Sequence, residues 1–147
     1  MSQTGMDVFD HTLHQTNAWL KTINEHLGWG DRQLAYHALR STLQTLRDRL
    51  PPDLAANLAA HMPLLVRGIY YEGWTPSSTP QRLRTQDEFL GSVAERYGHR
   101  EPVAFDELVR AVFATLDAYV TREQLDKVRH ALGDDLRALW PVAPTSR

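Results

Sequence analysis

One spacing restricts this chain's fold more than anything else in it. Phe9, Leu13, Thr16, Leu20, Ile23 and Leu27 follow one another at intervals of four and three, which places them on a single stripe of a long helix. Gly28 then ends the run, as glycine commonly does just past a helix. Shifting the numbering by 70 brings the pattern back without a gap: Leu13 falls on Leu83, Leu20 on Leu90, Gly28 on Gly98, Arg40 on Arg110, Thr45 on Thr115 and Leu46 on Leu116. Like replaces like at Trp19/Phe89, Ile23/Val93, Leu43/Phe113, Leu58/Val128 and Tyr70/Trp140. Stops, apolar stripes and helix lengths stay in phase over the whole half, the mark of two copies of one helical unit.

The remaining elements follow from local chemistry. Asp31 suits the cap of a second helix carrying Tyr36, Leu39, Leu43, Leu46 and Leu50, and Pro51–Pro52 closes it and opens a third. Ala55, Leu58 and Met62 face inward from the third; Val66, Ile69 and Tyr70 do so from a fourth that Pro63 opens. In the second copy, Thr85 with Glu88 and Thr121 with Gln124 have capping-box spacing, so helices are expected near 86–97, 102–119, 122–132 and 134–140. No β-branched alternating segment bounded by turn residues occurs, so strands are not expected. The expected fold is all-α: a tandem pseudo-twofold helical repeat with about four helices per half, packed as one bundle. Its parts are a first repeat over 6–72, an aromatic and proline-rich connector over 73–84, and a second repeat over 85–141.

Composition removes whole classes of function. The absence of cysteine excludes disulfides, thiolate zinc sites and cysteine nucleophiles. A net charge of −2 and a pI near 6.4 give no field that would draw nucleic acid or acidic lipid. Arg40, Arg47 and Arg49 lie close together, but Asp48 interrupts them, and they read as a solvated face. With neither a signal-peptide pattern at the N-terminus nor an uninterrupted membrane-length apolar run, a cytoplasmic location is expected, with no membrane and no nucleic-acid partner.

The stretches "FDHTLHQTNAWL" at 9–20, "AYHALRSTLQTLRDRLP" at 35–51 and "LVRGIYYEGWTP" at 65–76 resemble a bacterial family catalogued only as domain of unknown function family number 2267. The second half, from "EFLGSVAERYG" at 88–98, looks like that family's repeated unit. The resemblance implies an all-helical bacterial cytoplasmic protein and brings no activity, cofactor or catalytic residue with it.

Enzymatic motifs are lacking. The sequence has no G-x-S-x-G, no glycine-rich phosphate loop and no H-E-x-x-H. His11 and His14 have the H-x-x-H spacing of a metal pair but lie off the apolar stripe, and His26, His37, His61, His99 and His130 share no pattern, so neither a metal nor another cofactor is expected. The connector region draws attention instead. Arg67, Tyr70, Tyr71, Trp74, Arg82 and Arg84 form the candidate binding patch, since aromatics and arginine are what interface anchors are made of. The structural reading stands ahead of it: the aromatics are pins first, Tyr70 and Trp74 folding back to clamp the two halves together, and a binding surface second. The function expected is noncovalent: a non-enzymatic helical protein-interaction or regulatory module with a protein partner. The alternative is a small-molecule or metal-binding protein with a pocket near the connector.

Overall fold

A computed structural model describes residues 3–98 and 103–141. Among these residues there are seven α-helices and no strand. In chain order they are α1 (Asp7–Leu27), α2 (Arg32–Arg49), α3 (Pro52–Ala59), α4 (Leu64–Tyr71), α5 (Gln86–Tyr97), α6 (Phe105–Tyr119) and α7 (Arg122–Arg137), with a 3₁₀ turn at Pro76–Ser78 between α4 and α5. No helix is long and apolar enough to cross a membrane.

The helix ends sit where the sequence chemistry puts them. Gly28 closes α1 in the left-handed conformation, at φ 71°. The Asp31 carboxylate accepts from the backbone N–H groups of Gln33 and Leu34 and so caps α2. Thr85 and Glu88 form a reciprocal capping box on α5. Thr121 accepts from the Gln124 N–H at the head of α7. The helices expected at 122–132 and 134–140 meet within α7 at Gly133, whose φ of 81° and ψ of 171° are not helical and break the run there, the second piece ending at Arg137. The helix expected from 102 begins at Phe105 instead; residue 102 and His99 lie outside the described residues.

α2 lies at the centre of the bundle. It packs against α1, α3, α4, α5 and α6, while α1 also lies on α6 and α3 on α7. Its apolar stripe of Leu39, Leu43, Leu46 and Leu50 is fully buried, as its spacing requires. The rest of its circumference is buried too, in an unbroken run from Ser41 to Asp48. Hydroxyls make this tolerable: Ser41 donates to the His37 carbonyl at 2.7 Å and Thr45 to that of Ser41 at 2.8 Å, so these polar side chains enter the core already bonded.

The long α1 stripe is only half used. Thr16, Trp19, Leu20 and Ile23 are buried, but Phe9 is 48% exposed and Leu13 half-buried. The spacing correctly marks one side of a helix; it does not say that neighbours cover only its C-terminal half.

Candidate functional site

Charged residues of α2 fasten the connector, beside the packing of Tyr70, Tyr71 and Trp74 on the core. Arg47 is 1% exposed, so the solvated face expected from its sequence neighbours is corrected here. Its Nη1 donates to the carbonyls of Tyr70 at 2.9 Å and Glu72 at 2.7 Å, and its Nε to Asp48 Oδ1 at 2.8 Å. Asp48 in turn accepts from Arg96 Nη2 at 2.5 Å through Oδ2, and its backbone carbonyl accepts from the Gln81 N–H at 2.7 Å. Arg49 donates from Nε to the Leu83 carbonyl and from Nη2 to that of Leu132, tying the connector to α7. Burial lowers the Arg49 pKa, with the like charge of Arg84 behind it. Both ends of the connector are thus held by the Arg–Asp–Arg sequence that closes α2.

Each residue of the expected patch has a definite place. Tyr70 is fully buried and donates its hydroxyl to the Ala55 carbonyl at 2.7 Å; burial raises its pKa. Arg67 donates to the carbonyls of Ala59 and Met62 in the α3–α4 turn. Tyr71 leans on Tyr70 and stacks on Trp74, with ring centroids 5.3 Å apart in the second pair, and both are half-buried. Arg82 and Arg84 are exposed. The six residues therefore do not converge on one opening.

Behind the connector, however, lies a polar cavity of about 410 Å³ that they do not line. Arg40, Gln44, Arg47 and Asp48 of α2 and Arg96 of α5 form its inner wall. Glu72, Gly73, Thr75, Ser78, Thr79 and Gln81 close it from the connector side. Arg96 also donates from Nη1 to Gln44 Oε1 at 3.2 Å, and Arg40 Nε lies 3.7 Å from Glu72 Oε1. From sequence, Arg40, Arg47 and Asp48 read as part of a solvated face. One signal was present: the seventy-residue offset pairs Arg47, Asp48 and Arg49 with Asp117, Ala118 and Tyr119, so three successive charges in the first half stand opposite one in the second.

A second opening lies on the uncovered half of α1. Phe9, Thr12 and Leu13 face Leu64, Leu65, Gly68 and Ile69 of α4 across a hollow of about 610 Å³. It adjoins another of about 900 Å³ between α1 and the start of α2, sharing Leu13, Tyr36, Leu65 and Ile69 with it. Thr12 Oγ1 accepts from the Leu65 N–H at 2.9 Å and joins the two walls. Among the described residues, three of the six exposed large apolar side chains line the first hollow, Phe9, Leu64 and Leu65, and two more, Met6 and Val8, lie at the start of α1.

The histidines do not assemble. His11 and His14 are exposed on α1, and His14 shares a small cleft of about 280 Å³ with His61. Among the described residues no three His, Asp or Glu side chains are grouped to hold a metal ion.

The sequence of residues 16–139 matches the family described as an uncharacterized conserved protein, DUF2267. The chain belongs to that family. No curated protein matches it. For a DUF2267 member, what the molecule does must therefore be read from its own surfaces.

Proposed function

We propose that this DUF2267 protein is a non-enzymatic helical interaction module, and that the apolar groove between α1 and α4 receives a helix of a partner protein. The convergence of the exposed Phe9, Leu64 and Leu65 on one hollow carries this reading, because exposed apolar side chains on a small domain are ordinarily scattered. From Phe9 to Leu20 the groove wall rises about 17 Å, three turns of a docked amphipathic helix. In the same reading the protein is bacterial and cytoplasmic, and its halves are copies of one unit. The crossed packing of α1 on α6 and α2 on α5 supports the duplication, since a pseudo-twofold axis exchanges those two contacts.

Site-specific photo-crosslinking in cells tests the docking surface. A benzophenone side chain at Phe9 or Leu65 is expected to trap one partner of defined mass. Leu64→Asp in the same chain should abolish the adduct while the helical circular dichroism is kept. The same probe at Glu123, exposed on α7, should trap nothing. Equal adducts from both faces, or adducts indifferent to Leu64→Asp, would defeat the reading.

A further inference from the structure

The cavity behind the connector differs in kind from the apolar groove. Of its eleven lining residues, three are arginines and two are acids, so the cavity has one positive charge in excess. Two of the charged groups, Arg47 and Asp48, are more than nine-tenths buried. A buried charge must be compensated, and most of this one is: Arg47 Nε and Nη1 bond Asp48, Tyr70 and Glu72. Those three bonds leave Nη2 of the same guanidinium outside them. Arg96 uses Nη1 and Nη2 on Gln44 and Asp48, which leaves its Nε. Arg40 is held least: its single ion pair, with Glu72, spans 3.7 Å, and both side chains reach solvent. The connector adds Thr75 and Ser78, two hydroxyl-bearing residues, to the lining.

Guanidinium N–H groups from three residues, with two hydroxyl-bearing residues in the lining of the same small polar cavity, suit an acceptor-rich anion. We infer that the cavity binds a small phosphorylated metabolite, its phosphate taken by Arg40, Arg47 and Arg96 and its remaining oxygens by Thr75 and Ser78. The connector is then a binding loop held in place by α2, and Gly73, at φ 78°, turns it over the site. Glu72 has a defined part in this arrangement. It competes with the phosphate for Arg40, so its removal strengthens binding, whereas removal of Arg40 weakens it. A purely structural ion pair would respond to both changes alike.

The inference stands apart from the docking surface, since none of the cavity's groups except Glu72 touches the groove. Inorganic phosphate and glycerol 3-phosphate are the probes, titrated into the full chain and followed by amide NMR. Saturable shifts are expected at Gly73, Thr75 and Ser78, with a Kd on the order of 1 mM for phosphate and tighter for the ester. Arg40→Gln should raise the Kd at least fivefold, and Glu72→Gln should lower it severalfold, both with an unchanged melting temperature. Acetate at the same concentration should give no saturable shift. Shifts that fail to saturate, that acetate reproduces, or that Arg40→Gln and Glu72→Gln move in the same direction would overturn the assignment.

Discussion

Arg47→Met is the most severe test of the connector's attachment. Methionine keeps most of the linear apolar stem but removes every donor, so the carbonyls of Tyr70 and Glu72 lose their partner and Asp48 keeps only Arg96. Removing one member of a buried charged pair costs about 3–5 kcal/mol. Asp48 retains one cation, and so the expected loss is near the lower bound, about 3 kcal/mol. At this chain length that corresponds to a fall of roughly 6–12 °C in melting temperature. Urea unfolding followed by far-UV circular dichroism measures it directly. Arg40→Met is the matched control: the same residue type on the same helix, but with an exposed ion pair at 3.7 Å, and it should lose at most about 0.5 kcal/mol. If Arg47→Met unfolds within about 0.5 kcal/mol of the parent, then the carbonyls bonded by Arg47 do not depend on it. The account of how the connector is anchored would then be wrong.

Two further expectations concern the connector's aromatics. Trp74→Ala strips a half-buried ring from its stack on Tyr71 and should cost about 1–2 kcal/mol; an unchanged melting curve would show the ring holds nothing in place. The Tyr70 phenol is held above its ordinary pKa of 10.0 by burial, so its share of stability is intact below that pH and is lost as pH rises through and beyond it. Tyr70→Phe should therefore lose about 1 kcal/mol near neutrality, with the Ala55 bond gone. Its urea midpoint should also fall less steeply than the parent's in alkaline buffer, and parallel curves would refute the assignment.

Much of the fold was legible because helix ends and apolar stripes are local chemistry. Gly28, Asp31, Pro51 and the Thr85–Glu88 box act within a few residues of themselves, so spacing alone locates them. What spacing could not show is how many sides of a helix are covered. α1 and α2 both present a clean stripe, yet Phe9 on the first is open to solvent while Arg47 and Asp48, off the stripe on the second, are sealed. The difference lies in the neighbours: Arg47 and Asp48 are met by Tyr70 of α4, by Glu72 and Gln81 after it, and by Arg96 of α5, all later in the chain. The same blindness hid the polar cavity. Arg40 and Arg47 read as surface charge until α5, carrying Arg96, and the connector close over them. Tyr70 and Trp74 were visible as unusual, but their partners, the Ala55 carbonyl and the Tyr71 ring, belong to the folded state alone.

The enclosed run from Ser41 to Asp48 bears on how this protein can vary. Helices at a protein's periphery drift freely on their outer side, so substitutions accumulate there with a rhythm of three or four positions. Eight successive residues of α2 have no outer side. Any replacement there meets a helix, the connector or another charge, and has to match its volume and its bonding together. The segment that looks most like ordinary amphipathic surface is therefore the one in which the chain has least latitude to change.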